Sequence, residues 1–195
     1  MNFPIIDFKN DNIENFIQQW STFYKYDKME LYTDNIDREV LEKEHLIQLY
    51  QWKNGTNLSK KKLESLENKI LSKLDTINDF KQNLKIAKFL DEFDNVSFVW
   101  KIFLLHIVSP NQYPIYDQHI HRAFLFLNSD NQYRDIENTM SEKDKCRFYF
   151  KVYLPSVEEL RKKYNFSIRD LDKALFTLGQ FLKKYNVEVF QDPTV

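Results

Sequence analysis

The stretch FVWKIFLLHIVSPNQYPIYDQHIHRAF, residues 98–124, decides the fold because it contains two helices and the break between them. The run over residues 97–108 is apolar nearly all round, which is typical of a buried helix. Pro110 ends that helix, and the chain then extends because prolines and the residues before them disfavour the helical conformation. Asp117 is placed to cap a second helix over residues 117–127. The stretch therefore predicts a buried helix, a short link and a helix with a carboxylate at its start.

Helix signals dominate the rest of the chain. The sequence contains only 2 Gly and 5 Pro, whereas sandwiches and barrels need many turn glycines and dinucleotide-binding folds need a glycine-rich phosphate turn. No internal repeat, linker or low-complexity segment divides the chain. We therefore predict an all-α fold in a single helical domain over residues 1–195, with a short C-terminal arm over residues 186–195.

Capping residues and helix-breaking residues predict where several helices begin and end. Asp37, Ser59 and Ser167 are placed to start helices, and Gly55 after Asn54 is typical of a left-handed helix end. In the long helical segment that Ser141 opens, Pro155 predicts a stop followed by a new helix start.

Composition limits the classes of partner and compartment. Hydrophobic residues make up 43% of the chain and charged residues 29%, which is ordinary for a folded soluble protein. The single cysteine, Cys146, fits a reducing compartment. The N-terminus lacks the pattern of a signal peptide, and the apolar run of residues 98–108 is too short to cross a bilayer. We expect a cytoplasmic protein without membrane contact, from an AT-rich, bacterial genome because Asn, Lys and Ile are abundant.

The charge pattern restricts any binding of nucleic acid to a local patch. The formal net charge is −1, so the chain as a whole does not attract a polyanion. A basic run at a predicted helix start, with one lysine shortly before it, is the candidate contact to a DNA backbone: Lys53, Lys60, Lys61 and Lys62. A lysine run of this kind is also typical of a solvated helix face.

The pattern Pro-x-x-Asp-x-His-x-x-Arg, formed by Pro114, Asp117, His119 and Arg122 with Ile120 inside it, resembles a motif of the helix-hairpin-helix DNA glycosylases. The likeness is strongest to divergent proteins of the 8-oxoguanine DNA glycosylase fold. It covers about residues 97–127 and extends weakly to the last helix. The resemblance implies a helical glycosylase fold, double-stranded DNA as a partner and base-excision repair as the process.

The resemblance also implies a role for each matching residue. Asp117 is the expected catalytic carboxylate, since a fixed carboxylate stabilises the positive charge that develops on the sugar when an N-glycosidic bond breaks. An aromatic-lined pocket suits a base that has left the stack. The expected substrate-binding residues are Tyr113, Tyr116, His119, Arg122 and Trp100. We expect no cofactor and no metal, because His119 and His121 point about 200° apart on a helix.

The sequence departs from the family pattern in two places. The stretch EFDNVSFVW, residues 92–100, has no glycine where the family has a glycine-rich hairpin that holds a DNA phosphate. Counting back from Asp117 to the position of the nucleophilic lysine of bifunctional members reaches Phe98, and the nearest lysine is Lys101. The enzyme interpretation is therefore a monofunctional glycosylase that uses water.

A second interpretation is a catalytically inactive helical module of the same fold, which binds nucleic acid or a protein partner. In that interpretation Asp117 is only a helix cap, which contributes about 1 kcal/mol. Asp117, His119 and Arg122 then form a buried polar group that secures two helices. In either interpretation Arg122 has two alternatives, a structural pair with an acidic residue such as Asp170 or Asp172, or contact with a phosphate. The sequence assigns neither the lesion nor an oligomeric state.

Overall fold

The computed structural model describes residues 12–128 and 140–185, so the predicted C-terminal arm over residues 186–195 lies outside the described residues. The all-α prediction is confirmed, since helices and no strands form the regular structure of the described ranges. The chain divides into two compact units, the first built from 1–24, 117–140 and 147–195 and the second from 25–116 and 141–146. The prediction of a single domain over residues 1–195 stays a prediction.

The second unit contains six helices and one 3-10 turn at Leu71–Lys73. The helices are α2 (Glu30–Thr33), α3 (Lys43–Asn54), α4 (Lys60–Lys69), α5 (Leu74–Gln82), α6 (Ile86–Glu92) and α7 (Phe98–Val108). Every side chain of α7 from Ile102 to Val108 is buried, which confirms the prediction of a buried helix. His106 lies within this run and is 1% exposed.

Among the described residues, four helices belong to the first unit, and a fifth, α9 (Glu142–Phe148), begins in the second unit and ends in the first. The four are α1 (Ile13–Thr22), α8 (Gln118–Asn128), α10 (Leu154–Lys163) and α11 (Ile168–Tyr185). The long helix α11 packs against both α8 and α1. Its buried side chains recur at helical spacing and include Leu171, Leu175, Leu178 and Leu182, so one apolar stripe serves both neighbours.

One predicted helix boundary is wrong, and another is confirmed in part. The helix expected from Asp37 begins at Lys43 with Glu42 as its N-cap. The new start expected at Pro155 is present, since α10 begins at Leu154 with the proline in its first turn, but the stop before it is not, because a π-helical turn at Tyr149–Tyr153 joins α9 to α10. Proline is favoured in the first turn of an α-helix because its fixed φ suits the helix.

Candidate functional site

Asp117 is the N-cap of α8, as the sequence predicts. Its Oδ1 accepts hydrogen bonds from the backbone N–H groups of His119 at 2.9 Å and Ile120 at 3.0 Å. Its own carbonyl accepts the N–H of His121 at 2.9 Å, which begins the helical bonding. A single carboxylate oxygen thus satisfies two of the amides that a helix start leaves open. The side chain is partly exposed, so the carboxylate is both rigidly held and accessible to solvent.

His119 lies at the start of α8 and is partly buried. Its ring meets the edge of Phe176 with centroids 5.1 Å apart. Burial lowers the pKa of His119, the charge of Arg122 lowers it further, and Asp117 opposes both effects. Arg122 Nη1 lies 3.2 Å from Nδ1 of this ring. Because a guanidinium can only donate, Nδ1 is the acceptor and the neutral ring carries its proton on Nε2.

Arg122 joins α8 to α11 inside the first unit. It is 2% exposed, and its Nη1 donates to the carbonyl oxygen of Gly179 at 3.1 Å. A Cβ atom at position 179 would lie 2.0 Å from the carbonyl oxygen of His119 and 2.8 Å from its Cα. The two helix backbones approach so closely that only glycine fits, and Arg122 crosses the contact. Sequence reasoning did not single out Gly179.

Tyr24 and Arg169 complete the polar cluster and were also missed from sequence. Arg169 Nη2 donates to the Tyr24 hydroxyl at 3.1 Å, and its guanidinium lies 5.2 Å from the centre of the Tyr24 ring. Burial raises the pKa of Tyr24, Arg169 opposes this, and the charges of Asp117 and Asp172 add to the rise. Asp172 is 1% exposed. This part of the first unit therefore contains a cluster of interacting polar groups, namely two carboxylates, two guanidiniums, an imidazole and a phenol.

The predicted tyrosines belong to the second unit, where they secure the extended link. Tyr116 is 3% exposed and packs edge-on against Phe98 with centroids 5.6 Å apart. The carbonyl oxygen of Tyr113 lies 2.7 Å from Nδ1 of His106, and the Tyr32 hydroxyl lies 2.7 Å from its Nε2. Since a carbonyl only accepts, Nδ1 donates to it and Nε2 accepts from the hydroxyl. His106 thereby fixes the start of the link from inside the helix α7.

The predicted basic residues divide into two groups. Lys61, Lys62 and Trp100 line one cleft of about 270 Å³ in the second unit, together with Lys69. Lys53 is half-buried on α3, with its Nζ 5.8 Å from the ring centre of Phe103. Lys60 is exposed in the first turn of α4. This cleft thus brings together Lys61 and Lys62, which are predicted to contact a DNA backbone, and Trp100, which is predicted to contact the substrate. Lys69 is an addition to the predicted set.

The N-terminus of α7 is occupied by a carboxylate. Oε2 of Glu142 accepts the N–H of Phe98 at 2.5 Å. Partial burial acts to raise the pKa of Glu142, but hydrogen bonds from Phe98 and Lys145 outweigh it and lower that pKa. The resemblance implies a phosphate-binding hairpin at this position. The amide of Phe98 instead already binds the carboxylate of Glu142 there. Helix N-termini bind carboxylates and phosphates for the same reason, their open N–H groups and dipole.

Neither a membrane helix nor a metal cluster is found in the residues that the structure describes. No described helix is long and apolar enough to cross a bilayer, and no three His, Cys, Asp or Glu side chains of the described ranges group as metal ligands do. Comparison with known proteins finds no matching family model, curated protein or solved structure.

Proposed function

We propose that the protein is a DNA glycosylase-like enzyme in which Asp117 assists the release of a base from duplex DNA. The observation that carries the proposal is the fixed carboxylate at the start of α8, whose Oδ1 is held by two backbone amides. Such a group costs little reorganisation when positive charge develops beside it. The motif resemblance supplies the reaction class, and the cap geometry supports it.

The proposed reaction is hydrolysis of an N-glycosidic bond. The bond between the base and C1′ breaks, and the base leaves with the bonding electrons and takes a proton. A water oxygen forms a new bond to C1′, and Asp117 stabilises the sugar cation and accepts the water proton. The proton that the base gains and the one that water loses balance, so no cofactor is required.

A second candidate is a catalytically inactive helical module that binds nucleic acid or a protein partner. Two observations favour it. Glu142 occupies the Phe98 amide at the N-terminus of α7, and Arg122 is buried in a contact with the Gly179 carbonyl. In this candidate Asp117 and Arg122 secure the helix pair and perform no chemistry.

Base release from duplexes that carry uracil, 8-oxoguanine or an alkylated purine tests the first candidate. Asp117→Asn keeps a side-chain oxygen for the two amides, since Asn caps helices about as well as Asp. We expect the variant to fold normally and to release base at least about 100-fold more slowly, because it cannot accept the proton. Asp144→Asn is the matched control, since Asp144 lies exposed in the first turn of α9, and it should retain full activity.

The outcomes separate the two candidates. Equal base release by wild type and Asp117→Asn refutes a catalytic Asp117. No release by the wild type, together with salt-dependent DNA binding, supports the inactive nucleic-acid module. No release and no DNA binding at low salt leaves the protein-binding module.

A further inference from the structure

The second unit carries a basic cleft between α4 and the start of α7. We call it the α4–α7 cleft and define it by Lys61, Lys62, Ser65, Lys69, Ser97 and Trp100, with two aliphatic side chains at its base. Lys61, Ser65 and Lys69 follow one another at intervals of four residues, so they project from the same face of α4. Trp100 comes from the first turn of α7. Most of the cleft is therefore built by the two helices, and Ser97 comes from the residue just before α7.

The charge of the α4–α7 cleft is of one sign. Among the described residues, its lining contains three lysines and no carboxylate, although the chain as a whole has a net charge of −1. Lys69 Nζ donates to the Asn95 carbonyl at 2.8 Å, and Lys62 Nζ donates to Asn54 Oδ1 at 2.5 Å. An ammonium has three donors, so these contacts orient both groups and leave donors for a ligand. The cleft is suited to an anion with several acceptor oxygens.

Trp100 adds an aromatic wall to this cation cluster. It is half-buried, and its ring lies 4.8 Å from that of Tyr50. The other two tryptophans of the chain, Trp20 and Trp52, are 6% and 4% exposed. A partly exposed indole beside lysines is the combination by which proteins hold a nucleic-acid strand, with the phosphate on the cations and a base on the ring.

From this arrangement we infer that the α4–α7 cleft binds one nucleotide of a single-stranded DNA segment, with its phosphate on Lys61, Lys62 and Lys69 and its base against Trp100. The cleft measures about 270 Å³, just below the range of about 300–1,000 Å³ for pockets that enclose whole small molecules, so it holds one nucleotide in part and leaves the rest of the strand outside. The inference deepens the proposed function, on which it rests for the choice of DNA, by assigning where an unpaired nucleotide of the duplex substrate is held.

Tryptophan fluorescence tests the inference directly, because Trp20 and Trp52 are buried and Trp100 is not. An oligothymidylate of about ten nucleotides should quench the emission of the full chain, and Trp100→Phe should abolish the quenching. The variant with Lys61, Lys62 and Lys69 all changed to Gln should bind at least about tenfold more weakly at about 50 mM salt. Its plot of log affinity against log salt should become less steep, by about 0.7 for each phosphate that no longer meets a lysine.

Matched controls separate the cleft from net charge and from misfolding. A second triple variant changes three exposed lysines of the same unit and removes the same charge: Lys25→Gln, Lys85→Gln and Lys88→Gln. It should bind within about twofold of wild type, because those charges lie outside the cleft and are screened. Lys61→Gln alone changes an exposed side chain, so its weaker binding cannot be attributed to loss of fold.

The remaining ligands decide the class of partner. An abasic strand of equal length has the phosphates without bases, and should bind more weakly without quenching. Equal binding of polyglutamate, or equal effects of the two lysine triples, overturns the inference. If DNA quenches the fluorescence of the wild type but no base is released, the inference about the cleft stands and the proposed enzyme is refuted. If base release persists unchanged in the variant with Lys61, Lys62 and Lys69 changed to Gln, only the inference about the cleft is refuted.

Discussion

Gly179→Ala provides the most stringent test of the contact between α8 and α11. Helix propensity alone predicts that the change stabilises the protein by about 1 kcal/mol, since position 179 lies inside a helix of 18 residues. The geometry predicts the reverse. The new methyl group would lie 2.0 Å from the His119 carbonyl oxygen and 2.5 Å from its carbonyl carbon. Ordinary contact begins at about 3.4 Å, so the backbones would have to separate by about 1.4 Å.

That separation disturbs more than van der Waals packing. Overpacking a well-packed site costs about 1–3 kcal/mol, and the buried hydrogen bond from Arg122 to the Gly179 carbonyl would be stretched. A hydrogen bond to a charged group contributes about 1.5–3 kcal/mol. These costs exceed the propensity gain, so we expect Gly179→Ala to lower the free energy of unfolding by about 2 kcal/mol or more. For a chain of this size, that corresponds to a decrease in Tm of about 4–8 °C.

Urea denaturation followed by circular dichroism measures the difference, and a thermal scan measures the Tm. Gln180→Ala is the control, because it changes the adjacent, exposed residue of the same helix and should alter stability by less than about 0.5 kcal/mol. Base release, where the wild type shows it, should also decrease, because the clash is with the residue whose amide Asp117 caps. A Gly179→Ala protein as stable as the wild type would refute the close backbone contact.

Two further predictions concern pH. The pKa of Glu142 is lowered from 4.5, so its charged form contributes stability above pH 4.5 that is lost as the pH falls through the lowered value. Glu142→Gln should remove this pH dependence, with Glu159→Gln as a control. Because the Glu142 side chain is 59% exposed, the substitution should lower the free energy of unfolding by under about 1 kcal/mol at neutral pH. The pKa of His119 is lowered from 6.5, so the unfolded chain binds more protons than the folded protein just below that pH, and stability should decrease as the pH falls through 6.5. Urea denaturation of His119→Gln across this range should show a smaller decrease in the free energy of unfolding. An equal dependence of that free energy on pH in the variant and the wild type would contradict the neutral imidazole.

Local signals in the sequence were enough to predict the helices around the site. The apolar run of α7, the proline after it and the Asp117 cap are each contained within a few residues, and all three predictions are confirmed. Gly55 likewise ends α3 with φ 73°, because a positive φ favours a residue without a Cβ. Such features depend on the backbone next to them, so one sequence suffices to find them.

Features that depend on distant residues could not be predicted in this way. The segment before α3 is held by Asn78, whose side chain bonds both the N–H and the carbonyl of Leu41, and no local pattern near Asp37 reveals that partner. Tyr24 and Arg169 are 145 positions apart. From the sequence alone, Gly179 is only a residue of low helix propensity, and the structure is needed to show its contact with the backbone of His119.

The two proposed activities belong to different units, and this makes their contributions separable by kinetics. Asp117 lies in the first unit, and the α4–α7 cleft lies in the second. A residue that acts only in the transition state changes kcat, whereas a residue that holds the strand equally before and during the reaction changes KM. Asp117→Asn should therefore lower kcat with DNA affinity unchanged, and Lys61→Gln should raise KM with kcat unchanged. If Lys61→Gln lowered kcat and left KM unchanged, the cleft would be part of the chemistry and not a strand-holding site.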